Sequence, residues 1–150
     1  MKRLNCLLLC LFISIALMKA ENYASLYRSF NQAAGVEQVS ISRLAMMLMK
    51  PFMGDDPVAS SIQSIQVLDL SSCSDEVRLS FNKRAARINE RGFETLMQVK
   101  EEEEFVRILV KTKQDRIREL VILITGGDPV LVRIKGNLSM DEAQKMAQKY

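Results

Sequence analysis

The sequence predicts an α+β fold: a mixed sheet of about six strands that ends in a four-stranded antiparallel meander, with helices mainly on one face. Residues 93–137 support this prediction, since four segments rich in Val, Ile and Leu follow one another there with short turns between them. Residues 21–91 instead show apolar residues at helical spacing, interrupted by two shorter strand-like segments. Residues 21–150 contain no internal repeat or linker, so they are predicted to form a single domain.

Local signals place the elements that precede the meander. Gly35 can close the first helix in a left-handed conformation, Ser42 suits the N-cap of the second helix, and Pro51 disfavours helical angles in the residue before it. The helical connection between the first two strands allows a parallel pairing through a right-handed crossover. In chain order, this part is predicted to contain helix 21–34, strand 36–41, helix 43–50, a loop at 54–61, strand 65–70 and helix 75–91.

Polar or glycine-containing turns separate the strands of the meander. Ser139 and Glu142 have the spacing of a capping box, so a final helix is predicted to begin there. The four meander strands are predicted at residues 93–100, 105–112, 117–125 and 130–137.

The first twenty residues have the features of a secretory signal peptide. Lys2 and Arg3 give a basic start, residues 4–18 are almost wholly apolar, and Ala20 is small enough for cleavage after it. The apolar run is shorter than the roughly 20 residues that a membrane-spanning helix needs. We therefore predict a signal peptide at residues 1–20 and an exported protein, periplasmic or secreted, of a Gram-negative bacterium, with no transmembrane segment in the mature chain.

Removal of this segment changes both the charge and the cysteine content. The full sequence has 21 Lys and Arg against 18 Asp and Glu; Lys2, Arg3 and Lys19 lie in the segment, so 18 basic residues remain against 18 acidic ones. A formally neutral chain gives no reason to expect a nucleic-acid partner. Cys73 remains as the single cysteine, which cannot form an internal disulfide.

The residue inventory limits the chemistry that the chain can perform. It contains no His, which excludes Ser-His-Asp and Cys-His nucleophiles and every zinc site that uses imidazole. No glycine-rich phosphate loop follows a strand, and we predict no catalytic residue, cofactor or metal site. Cys73 lies near a predicted helix start, where the dipole can favour a thiolate, but a small apolar residue at the helix entry is the favoured interpretation.

Four methionines, Met46, Met47, Met49 and Met53, cluster within one short segment. Flexible thioether side chains can form an adaptable peptide-binding groove or a soft metal site. Packing in the core is the interpretation that we favour.

The strand parity of the meander predicts a candidate partner-binding face. If Val106, Ile108 and Val110 face the helices, the residues between them point the other way. This second face would combine an apolar centre with a basic margin, which suits an acidic or amphipathic protein partner or self-association. The alternative is that the N-terminal helix or the 54–61 loop covers it. The candidate residues are Leu96, Phe105, Arg107, Leu109, Lys111, Arg133 and Lys135.

Three stretches of the chain resemble a known family. Residues 35–42 with the Met-rich helix after them, residues 92–100 and residues 132–139 are similar to parts of the family grouped as domain of unknown function 4252. These correspond to its first strand and helix, the entry to its meander, and its last strand with the following turn. Its members are small exported proteins, mostly of Bacteroides-type bacteria. Some relatives look like lipoproteins, whereas this chain lacks a usable lipobox at Cys6 or Cys10.

The resemblance implies an exported α+β domain and transfers no catalytic residue. The expected function is that of a non-catalytic binding or interaction protein of the bacterial cell envelope. Two alternatives stay open: a small enzyme that uses carboxylate and lysine or Cys73 chemistry, and a structural subunit of a homo-oligomeric assembly.

Overall fold

The structure is a computed structural model that describes residues 21–52, Gly54 and residues 57–147, so the predicted signal peptide lies outside the described residues. It confirms the α+β class, with one sheet of six strands and helices packed against it. The first half of the chain contains helix α1 (Tyr23–Phe30), strand β1 (Glu37–Ile41), helix α2 (Arg43–Met49), a 3-10 turn (Lys50–Phe52), helix α3 (Pro57–Ser61), strand β2 (Ile62–Asp69) and helix α4 (Asp75–Ala85). The second half contains strands β3 (Glu94–Glu101), β4 (Glu104–Lys113), β5 (Arg116–Thr125) and β6 (Val130–Leu138), and helix α5 (Met140–Ala147).

The meander predicted from the sequence is confirmed. Strands β3 to β6 lie side by side in chain order, and the complete sheet order is β1-β2-β6-β5-β4-β3. The β5–β6 turn packs closely on the β3–β4 turn: Gly126 has a φ of +137°, and a Cβ there would lie 2.6 Å from the backbone oxygen of Glu103. Only glycine allows this approach. The side-chain amide of Asn82 on α4 holds the same turn, since it accepts from Gly126 N at 3.2 Å and donates to Gly126 O at 2.8 Å.

The sheet is antiparallel throughout, so the prediction of a mixed sheet with a parallel first pair is wrong. Strands β1 and β2 pair antiparallel, with Ile41 opposite Ile65. The reason lies in the connection, because α2 starts just after β1 ends and α3 leads directly into β2. Both helices therefore stay at the end of the sheet where β1 finishes, and β2 runs back from there. The predicted loop at 54–61 is also helical from Pro57, and β2 begins at Ile62.

The helices cover both faces of the sheet, which corrects the prediction that they lie mainly on one. Face A is the side on which α1 and α4 pack; face B is the opposite side, on which Met46 of α2, Val58 of α3 and Ala143 of α5 pack. The central strand β5 is apolar on both sides, and such a strand requires cover on both. The strands contribute Leu68, Leu109, Val121, Leu123 and Leu131 to the core of face A, and Ile62, Ile108, Val110, Leu120, Ile134 and Leu138 to that of face B.

Helix α4 is shorter than predicted, since it ends at Ala85 and not at Arg91. The backbone N–H groups of Arg87 and Ile88 donate to carbonyls three residues back, at 3.0 and 3.2 Å, which is the geometry of a tighter turn. Ile88 nevertheless remains buried on face A.

Side-chain caps begin α2 and α5 as the sequence predicts. The hydroxyl of Ser42 accepts from Ala45 N at 3.3 Å. The hydroxyl of Ser139 accepts from Glu142 N at 3.2 Å, and the Glu142 carboxylate accepts from Ser139 N, so the predicted capping box is confirmed.

Candidate functional site

The residue predicted to be at the centre of an open face, Leu109, is part of the buried core of face A. It is only 7% exposed and belongs to the same cluster as Tyr23 of α1 and Phe81 of α4. Helices α1 and α4 therefore lie over this part of the sheet. The predicted partner-binding face is not open there, and the alternative of cover by the N-terminal helix is correct.

Three of the four basic residues predicted for the same face, Arg107, Lys111 and Arg133, contact other groups of the chain. Arg107 Nη2 donates to the carbonyl of Ile88 at 3.5 Å, and the Lys111 ammonium lies 5.6 Å from the centre of the Phe93 ring. Arg133 forms an ion pair with Glu119, and both side chains are almost buried, at 12% and 11% exposure. These contacts stabilise the fold and leave few groups free for a partner.

Three further candidate residues complete the comparison with the predicted face. Phe105 shares face A by register and is half-buried, while Lys135 is exposed at its margin. Leu96 was assigned to the wrong face: it packs against the face B core. A β-bulge between Thr95 and Met97 inserts one residue, and the inserted residue reverses the parity on which the assignment rested.

Face B carries the apolar surface that the strand parity had placed under helices. Two rows of cross-strand neighbours run across the sheet there, and every member is Val, Ile or Met. We call these ten residues the apolar surface. The first row crosses all six strands and contains Val39, Val67, Val132, Ile122, Ile108 and Met97; the second contains Val130, Ile124, Val106 and Val99.

Most of the apolar surface is only half-buried. Val39 and Met97, on the two edge strands, are 51% and 39% exposed, whereas Ile108 is buried. Two adjoining shallow hollows of about 460 and 360 Å³ lie over it, and Ile122 and Ile124 line both. Helices α2, α3 and α5 cover the part of face B around Met46, Leu120 and Leu138, and they leave these two rows open. A hollow of this kind on a sheet is a docking surface for an apolar partner.

An acidic margin borders one end of the apolar surface. The carboxylates of Glu101 and Glu104 line the smaller hollow together with Val99 and Val106. Residues 101–104 are all exposed, and none of their side chains forms an ion pair within the part of the chain that the structure describes. The margin therefore carries four carboxylates that no ion pair neutralises among the described residues.

The Met-rich helix α2 is exposed on face B, contrary to the interpretation of core packing. Met46 alone is buried, at 1% exposure, whereas Met47 and Met49 are 59% and 44% exposed and Met53 lies outside the described residues. The helix is short and packs on β2 through one side only, so the remaining side chains face solvent. Leu44, Leu48 and Phe52 are also exposed, at 63%, 64% and 89%.

The groups that could carry catalysis are held in unreactive surroundings. Burial raises the pKa of the Cys73 thiol, and the Asp69 carboxylate raises it further, which disfavours the thiolate. Burial likewise raises the pKa of Tyr23. Among residues 21–52, 54 and 57–147, no three His, Cys, Asp or Glu side chains come together as metal ligands. No helix within these residues has the length and apolarity to cross a membrane.

Comparison with known proteins identifies a family and no characterised relative. The model of the family described as "Domain of unknown function (DUF4252)" matches residues 27–146, which is most of the chain. No curated protein and no solved structure matches.

Proposed function

Since the chain belongs to the family of domain of unknown function 4252, whose description assigns no activity, we propose from its own surfaces that it is a non-catalytic interaction protein of the bacterial cell envelope. Its docking site is the apolar surface on face B. The observation that supports this proposal is the pair of partly exposed apolar rows in register across the sheet.

Docking of a partner would complete the burial of these rows and so gain free energy. Full burial of a Val or Ile side chain is worth about 1.5–3 kcal/mol, and side chains such as Val67, Ile124 and Val130 are only half-buried in the free chain. Docking adds only the part of this gain that the free chain has not already made, and several such contributions together offset the cost of association.

A binding role agrees better with the side-chain chemistry than catalysis does. The chain contains no His. The raised pKa of Cys73 disfavours the thiolate that nucleophilic chemistry requires. The buried carboxylate of Glu119 is paired with Arg133, which leaves it poorly placed to act as a base.

The proposed location in the envelope depends on the basic, then apolar, first twenty residues. If they are a cleaved signal peptide, mass spectrometry of the exported protein will give a chain that begins near Glu21. An intact Met1, or a diacylated cysteine, would contradict this part of the proposal.

Site-specific photo-crosslinking in the bacterium that makes the protein tests the docking site. A photoreactive amino acid at Ile124, in the middle of the apolar surface, should give discrete adducts. The matched control is Leu79 on α4, which is 68% exposed but lies away from this surface. Adducts from position 124 and none from position 79 support the proposal. Equal labelling at both positions, or no adduct from position 124, would contradict it.

A further inference from the structure

We propose that the partner on the apolar surface is a second copy of this chain, which contributes its Met-rich segment, Arg43–Phe52. This inference rests on the proposed function, because it names the occupant of the same docking site. In the resulting dimer, α2 and the following turn of each copy lie across the two apolar rows of the other.

The exposed apolar side chains are concentrated in these two features. Nine large hydrophobic residues are exposed in the part of the chain that the structure describes. Seven of the nine belong either to the Met-rich segment or to the apolar surface. The five in the segment are Leu44, Met47, Leu48, Met49 and Phe52; the two on the surface are Val39 and Met97. Dimerisation would therefore cover most of the exposed large hydrophobic residues in one step.

The shapes of the two features also suit each other. The apolar surface is a shallow hollow built from branched Val and Ile side chains on a sheet. The Met-rich segment presents flexible, unbranched methionines, which adapt to irregular apolar surfaces. A helix that lies in an apolar groove is a recurrent mode of protein recognition.

The charges of the two features are complementary. Arg43 and Lys50 lie at the two ends of α2, and residues 43–52 contain no acidic residue. The apolar surface, in contrast, is bordered by the acidic margin at residues 101–104, with Glu101 and Glu104 lining its hollow. Docking of the segment on the surface of a second copy would bring its basic ends towards a margin that lacks cationic partners within its own described chain.

Both features lie on the same side of the molecule. Met46 anchors α2 to the core of face B, and the apolar rows belong to that face. A two-fold axis can therefore pair the segment of each copy with the surface of the other at the same time. Such a reciprocal interface closes as a dimer, whereas a head-to-tail interface between opposite faces would generate a ring or an open filament.

Self-association of the purified exported protein tests the inference directly. Analytical ultracentrifugation over a range of micromolar concentrations should show a monomer–dimer equilibrium. Leu48→Glu, in the Met-rich segment, should weaken the dimer by roughly a hundredfold or more, because it places a charge in an apolar contact. Leu79→Glu is the matched control, since the two leucines are almost equally exposed, at 64% and 68%. It should leave the equilibrium unchanged.

A charge exchange then tests which features meet. The variant Arg43→Glu/Lys50→Glu has an acidic segment and acidic residues in the hollow, while Glu101→Lys/Glu104→Lys has a basic segment and basic residues at the two margin positions that line the hollow. Each should dimerise at least roughly tenfold more weakly than the wild type, because like charges face each other. A mixture of the two variants should restore dimers, since both contacts of the mixed dimer pair opposite charges. Mixing without any recovery would overturn the proposed arrangement.

The remaining outcomes separate this inference from the proposed function. A wild-type protein that stays monomeric at all concentrations overturns the second-copy proposal. If position 124 then gives cross-links to a different protein, the docking site stands and only its occupant was wrong. A monomer that floats with phosphatidylcholine vesicles, and loses this property in Leu48→Glu, would indicate a lipid surface as the occupant and would also overturn the dimer.

Discussion

Leu109 provides the sharpest test of which side of the meander is core. It is 7% exposed and lies in the face A cluster with Tyr23 and Leu123. Leu109→Ala removes buried methyl groups and leaves a cavity between the sheet and the helices. Leucine-to-alanine changes in well-packed cores cost about 2–5 kcal/mol, and we expect about 3 kcal/mol here because a small part of the side chain is exposed.

Urea unfolding followed by circular dichroism measures this cost. The midpoint should fall while the dependence of the unfolding free energy on urea stays unchanged, since the fold itself is retained. Leu79→Ala is the control: Leu79 is 68% exposed, so its truncation should change the unfolding free energy by less than about 0.5 kcal/mol.

A cost below about 1 kcal/mol for Leu109→Ala would refute the reasoning. It would mean that α1 and α4 do not seal this part of face A in solution. The open face predicted from strand parity would then be a second candidate docking site, beside the apolar surface on face B.

Three further predictions follow from buried or capped polar groups. Glu119→Ala should lower the free energy of unfolding, measured in urea, by about 3–5 kcal/mol because it leaves Arg133 buried without its partner. The double variant Glu119→Leu/Arg133→Met should recover most of this loss, and equal losses in the two variants would contradict this account. The hydrogen bond from Ser139 N lowers the pKa of Glu142 from its ordinary value of 4.5, and Ser139 Oγ, Ser61 and Arg116 add to the effect. The stabilising contribution of the Glu142 carboxylate is therefore complete above pH 4.5 and is lost as the pH falls through the lowered pKa of the folded state. Glu142→Gln should reduce the difference in stability between pH 7 and pH 3. The Cys73 thiol should react with an aromatic disulfide reagent much more slowly in the folded chain than in urea, and Cys73→Ser should remain folded; rapid labelling of the native protein would contradict its burial.

The parts of the fold that were predicted correctly depend on residues close together in the chain. The four strands of the meander follow from alternation and short turns, and the caps at Ser42 and Ser139 from the spacing of a few residues. The direction of β2 relative to β1 was predicted wrongly. A helical connection permits either direction, and the choice depends on where α2 and α3 pack.

The candidate site could be predicted only in outline. Parity correctly groups Val106 with Ile108 and separates both from Leu109, but it does not say which side the helices cover. The bulge at Leu96 leaves only a weak signal in the sequence: the adjacent apolar residues Leu96 and Met97 interrupt the alternation, but this alone does not identify an inserted residue. A hint was available in β5, whose side chains are apolar at both parities and so required cover on both faces.

The sequence by itself determined the α+β class, the number of strands and the absence of histidine chemistry, since these follow from composition and local pattern. Only the tertiary structure decided that Leu109 is covered, that Ile124 is partly exposed, and that Met47 faces solvent. Each of these residues is apolar and suits a core equally well. Which of them is buried depends on the packing of helices distant in the chain, and an incomplete cover of face B leaves the apolar rows open to a partner.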